Sequence, residues 1–195
     1  MKFSRATRIL HILIIIVVSL QLLSQTWMFV PTPDKLPQTQ LAAWLFVIHL
    51  CVGIMGLCFV AVRLMTIMDD ENDSKRLFPF FRKDNINAFF RELQSVPNWL
   101  KQGPPSPEQD SLIASSVHGL GLLLILGLGT TGVLFYMGLE PDGAMDSLTK
   151  FFRETHEFFA TFLWIYIIGH VGMYVRHRMS GHQQVSEIFS FKNDK

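Results

Sequence analysis

Four apolar blocks, about residues 9–31, 41–68, 112–138 and 155–175, each reach or exceed the roughly 20 residues that carry an α-helix across a bilayer. Helices of a soluble core do not run this long. Apolar residues make up 49% of the chain, and they are gathered into these blocks instead of being spread at core periodicity. The expectation is an all-α membrane protein, a four-transmembrane-helix bundle forming one domain over residues 1–195 with a polar insert at 69–111. The first block follows Lys2, Arg5 and Arg8 as a secretory signal would, but "LLSQTWMF" behind it offers no small-x-small cleavage site, so it reads as an uncleaved span.

An even number of spans puts both termini on one side together with the 69–111 segment. That side carries Lys2, Arg5, Arg8, Lys75, Arg76, Arg82, Lys83, Arg91, Lys101, Arg176, Arg178, Lys192 and Lys195, thirteen cations, with Arg63 near the same boundary. The opposite side carries three, Lys35, Lys150 and Arg153. The positive-inside rule therefore places the termini in the cytoplasm. Net charge is +1, which implies no polyanionic partner such as a nucleic acid, and there is no nucleotide, zinc-finger or P-loop motif.

The proline-rich "PTPDKLP" separates the first two spans, with Trp27 and Trp44 placed beside it as interface anchors. Cys51 and Cys58 lie seven residues apart on one face of the second span, where packing is expected and a disulfide between them is geometrically implausible. In the insert, Ile86, Phe89, Phe90 and Leu93 follow helical spacing with Asp84 as a candidate N-cap. Two readings stay open there: a short amphipathic helix on the inner membrane surface, or a docking face for a cytoplasmic partner.

Histidine placement carries the chemistry. His177 and His182 fall in the basic tail, where water satisfies them, but His11, His49, His118, His156 and His170 lie in or just inside apolar blocks. An imidazole in hydrocarbon must find partners for two ring nitrogens. His156 and His170 are 14 residues apart, which at helical pitch is about 40° short of four turns and about 21 Å along the axis, so one helix presents two rings on nearly the same face. His49 matches the depth of His156, and His11 that of His170. Two facing imidazoles a haem's thickness apart are what bis-histidine ligation requires, and helix bundles are where such cofactors are housed. His118 also lies at the depth of His11 and His170, so spacing leaves three rings for two axial positions. Zinc or copper bound by these histidines is a poor alternative, since one ion cannot span about 21 Å and no carboxylate or thiolate completes a site beside either pair.

Glycines fit a large flat ligand or close helix packing equally well: Gly53 one turn after His49, Gly169 and Gly172 beside His170, and five within "HGLGLLLILGLGTTG". Arg63 either snorkels to the cytoplasmic surface or pairs with a haem propionate, and Lys150 and Arg153 are similarly placed for propionates on the other side.

These residues resemble the bacterial cytochrome b561 family, related to the cytochrome b subunits of nickel-iron hydrogenases. The resemblance rests on "RILHIL" in the first span, "HLCVG" followed by "VRLM" in the second, and "HE" with a histidine 14 residues later in the fourth. It implies His11, His49, His156 and His170 as axial ligands of two haem b groups, paired His11 with His170 and His49 with His156. It implies a non-axial part for His118, near a propionate or a quinone. The 69–111 segment departs from the compact family members and resembles the respiratory-subunit branch, whereas some compact members are similar to a superoxide oxidase that reduces ubiquinone.

A haem iron with two histidines has no open coordination position, so outer-sphere electron transfer is the expected chemistry. The sequence thus reads as a di-haem cytochrome of the bacterial inner membrane, exchanging electrons between quinone or quinol and a redox partner protein. Superoxide oxidation with ubiquinone as acceptor is the alternative; Asp34, Glu140, Asp142, Asp146, Glu154 and Glu157 outnumber the three outer cations and would repel that anion.

Overall fold

The computed structural model describes residues 4–35, 37–69, 77–78, 83–105 and 111–190. Lys2, Lys75, Arg76, Arg82, Lys192 and Lys195 of the charge argument lie outside these residues, as does most of the acidic run after the second span. All five long elements are helices: α1 (Arg5–Trp27), α2 (Gln40–Met68), α3 (Lys83–Gln102), α4 (Leu112–Gly138) and α5 (Ser147–Met179). A 3-10 helix, Gln183–Phe189, follows α5, and among the described residues there is no strand beyond one isolated bridge, Thr32 with Lys35. Helices α1, α2, α4 and α5 are each long and apolar enough to cross a membrane. The hydrocarbon interior offers no water to backbone groups, and a continuous helix satisfies all but its ends.

Those ends are capped by residues placed at the N-cap for each span. The hydroxyl of Ser4 accepts from Thr7 N–H at 3.1 Å, that of Thr39 from Ala42 N–H at 3.1 Å, and that of Ser111 from Ala114 N–H at 3.0 Å. For α5 the cap is a carboxylate, Asp146 Oδ1 accepting from Thr149 N–H at 2.7 Å. Hydrogen bonds from Thr149 hold that carboxyl below its usual range, as expected of an anion at a helix N-terminus. Caps of this kind are each worth about 1 kcal/mol. The α4 terminus has a second acceptor: Glu92 of α3 takes the N–H groups of Leu112 at 2.8 Å and Ile113 at 3.3 Å, and the Ser111 hydroxyl as well.

The bounds differ from the apolar blocks chiefly in α1 and α5, the latter also running on to Met179. Helix α1 begins four residues earlier and stops at Trp27. Helix α5 begins at Ser147, eight residues before the block, because its first turns carry Lys150, Arg153, Glu154 and Glu157, which satisfy hydropathy poorly but helix geometry well. Asp84 lies within the range of α3, and its side chain, the candidate cap, is outside the described residues. Cys51 and Cys58 are free thiols on an exposed face of α2, not packing residues.

The chain divides into two compact units. One contains residues 1–11, 63–123 and 164–195, with the described parts of both terminal segments; its buried residues include Arg8, Ile67 and Ser116. Here α3 leaves Ile86, Phe90 and Leu93 exposed. The other contains residues 12–62 and 124–163, with Val17, Val52, Val60, Leu128, Phe135 and Leu163 as its apolar core. In it the turn between α1 and α2 meets the turn between α4 and α5: Gly143 has φ +86, and a Cβ there would come within 2.6 Å of the Thr32 backbone. Trp27 and Trp44 keep most of their surface exposed, as interface anchors do.

Candidate functional site

In the unit built from residues 12–62 and 124–163, His49 of α2 and His156 of α5 face one another with ring centroids 6.3 Å apart. Neighbouring side chains fix both rings. His156 Nδ1 lies 2.9 Å from the Leu128 carbonyl, which can only accept, so that nitrogen carries the hydrogen. His49 Nδ1 lies 2.8 Å from Ser24 Oγ, whose own hydrogen goes to the Gln21 carbonyl at 3.1 Å; the imidazole is again the donor. Each ring therefore turns a bare Nε2 lone pair away from these partners, the tautomer a metal-binding histidine adopts when its second nitrogen is hydrogen-bonded. Thr131 Oγ1 stands 3.3 Å from His156 Nδ1 as a further polar neighbour, and the Gln21 side-chain amide donates to the His49 carbonyl at 2.6 Å.

An open cavity of about 120 Å³ includes both rings in its lining, with Gly53, Gly129 and Gly132 among the other wall residues. Gly132 lets His156 approach, since a Cβ there would sit 3.1 Å from the imidazole; Gly129 does the same for Leu57, at 3.0 Å. Close packing is thus what these glycines do directly. Gly169 and Gly172, by contrast, have nothing within 4 Å of a built Cβ.

In the other unit, three imidazoles meet. His11 of α1 and His170 of α5 have centroids 6.5 Å apart, while His118 of α4 stands edge-on to His170 at 5.1 Å. An iron bonded on both sides to histidine Nε2 at about 2 Å holds the ring centroids about 6 Å apart or slightly more. The His49 with His156 and His11 with His170 spacings fit that requirement; His118 with His170 is too close. His118 Nδ1 also donates to a carbonyl, that of Ala114 at 2.6 Å, which leaves its Nε2 bare as in His156, so spacing alone sets it apart from the pair. Half-buried Arg63 lies within electrostatic reach of His11 and His118, and also contacts the Thr66 hydroxyl at 3.2 Å. Tyr166, one turn before His170, stacks on its ring at 5.4 Å with 16° between planes.

Lys150 and Arg153 are each paired along α5, Lys150 with Glu154 at 3.8 Å and Arg153 with Glu157 at 2.9 Å. His177 and His182 bond to each other, Nδ1 to Nδ1 at 3.0 Å, instead of relying on solvent alone. Sequence reasoning overlooked Gln21, Ser24, Thr131 and Tyr166. Gln21 and Ser24 had a signal: these two polar residues at i and i+3 of an apolar block share one face, and that face needed a partner.

Among the described residues no group of three or more histidine, cysteine or acidic side chains is arranged to hold a metal ion alone. A porphyrin supplies four of iron's ligands itself, so paired histidines suffice. The family model described as prokaryotic cytochrome b561 matches residues 2–191. No curated protein and no solved structure matches this chain.

Proposed function

From its membership of the prokaryotic cytochrome b561 family, which makes this chain a multi-pass bacterial membrane cytochrome that binds haem b and transfers electrons, we propose that it holds two haems, one in each unit. The observation that carries this reading is the pair of ring spacings, 6.3 and 6.5 Å, each accommodating one iron. His49 and His156 would hold the haem of one unit, and His11 and His170 that of the other. Haem supplies a one-electron couple, and with both axial positions filled it exchanges electrons without binding oxygen.

The chain's own residues do the rest. Ser24 and the Leu128 carbonyl orient the two imidazoles of their unit and make them better donors. Apolar wall residues keep water out, which tunes the potential. Arg63, within electrostatic reach of His11 and His118, is a cation placed to meet a propionate there. His118 is a non-axial neighbour whose exchange for alanine leaves two haems per chain; recovery of a single haem from His118→Ala protein would move it into the ligand set.

The partners on this reading are membrane quinone or quinol and a redox protein, with the termini cytoplasmic by charge bias in the inner membrane. Superoxide is the lesser reading, because the two cations that could steer an anion, Lys150 and Arg153, are each offset by a carboxylate. Adding ubiquinol anaerobically to oxidised protein is expected to bring up the reduced low-spin bands. Reduction by superoxide with no response to quinol would reverse the ranking.

A further inference from the structure

In the unit with the terminal segments, α5 ends in a reversal. Gly181 takes φ +84, His182 N–H returns to the His177 carbonyl at 3.1 Å, and the two imidazoles bond across the turn. This is a glycine-terminated helix end, in which the left-handed residue lets the last carbonyls find donors. Arg178 anchors the start of the 3-10 helix through Gln183 and the Ser186 hydroxyl.

That short helix then delivers Phe189 to His11. Their centroids are 6.0 Å apart, and the same phenyl ring meets Tyr174 edge-on at 6.2 Å. The carbonyl of the next residue, Ser190, accepts from the guanidinium of Arg8. Arg8 stands one turn before His11 on α1 and is only 7% exposed, a burial unusual for arginine. A segment about ten residues long therefore touches one candidate ligand, His11, and the arginine one turn before it.

We infer that residues 181–190 form a cap over His11, with Phe189 as a positioning residue that excludes water from this imidazole and raises the reduction potential of the haem it holds. The inference rests on the proposed ligand role of His11. Ferric haem carries one more positive charge than ferrous haem, so water favours the oxidised form, and an apolar ring in its place favours the reduced one. The buried Arg8 cation acts in the same direction, since a positive charge disfavours the more positive iron. Phe189 has no hydrogen-bonding group, so its effect is that of shielding alone.

The test uses full-length holoprotein and spectroelectrochemical titration. In a His49→Ala background one haem remains on the proposed reading, the one between His11 and His170. There Phe189→Ala is expected to reduce the ratio of ferrous to ferric haem at fixed potential about tenfold, ~59 mV for one electron. Phe189→Leu, which keeps an apolar side chain, should stay within about twofold of the parent ratio. In a His11→Ala background the remaining haem should not respond. An unmoved potential in Phe189→Ala protein that retains its one haem overturns the cap, as does an equal fall with leucine. If His49→Ala protein instead keeps both haems, or neither, the ligand assignment itself has failed, and the cap's redox role with it.

Discussion

Alanine at His49 or His156 is expected to remove one of the two proposed haems and leave the other with its spectrum and potential intact; alanine at His11 or His170 is expected to remove the complementary one. The reason lies in the spacing. With centroids at 6.3 Å, neither member of the first pair can be replaced by a neighbour, because among the described residues no third histidine ring meets it. Without one of the two imidazoles that would hold it, a haem would be retained more weakly. The second pair has His118 beside it, but at 5.1 Å from His170 that ring is too close to bind the opposite side of an iron held there. Haem-to-protein ratios and reduced-minus-oxidised spectra of the four variants test the assignment. Loss of both haems from a variant that stays folded, or of neither, contradicts it.

Gly121→Ala is expected to impair the His11 and His170 site without touching a histidine. A Cβ at this position would overlap Tyr166 Cζ and Oη and come within 2.8 Å of Cε2, well inside contact distance. Tyr166 is the ring stacked on His170, so moving it changes what holds that imidazole in place. Overpacking of this kind costs about 1–3 kcal/mol, against a gain of about 1 kcal/mol in helix propensity from replacing glycine. The expected result is faster loss of one haem on heating in detergent. Combining Gly121→Ala with Tyr166→Ala removes the clash, and the double variant should lose that haem more slowly than the sum of the single effects requires, with a coupling of about 0.5–3 kcal/mol. Simple additivity would mean that the tyrosine is not the route.

The four spans were legible because bilayer thickness imposes a length on apolar segments that composition cannot hide. The start of α5 was not, since Lys150, Arg153, Glu154 and Glu157 interrupt the apolar signal while pairing at i and i+4, a pattern that supports a helix. Depth arguments brought out the meetings of His49 with His156 and His11 with His170, because position along a span converts residue count into distance. They could not separate His11 from His118, which share a depth; only side-chain direction does that. Ser24 beside His49, Leu128 behind His156 and Phe189 over His11 pair residues 25, 28 and 178 positions apart, and no local periodicity encodes such a separation. The outward-facing Cys51 and Cys58 show the converse error, since in lipid an apolar-looking residue has no obligation to face inward.

Ser24 and the Leu128 carbonyl have a kinetic consequence. Because they hold both imidazoles of their unit by hydrogen bonds within the protein, the rings would have little freedom to swing if, as proposed, a haem held between them gained or lost an electron. Small nuclear rearrangement per transfer is what makes a redox centre quick in both directions, so on that assignment the tethering would also lower the barrier to electron transfer.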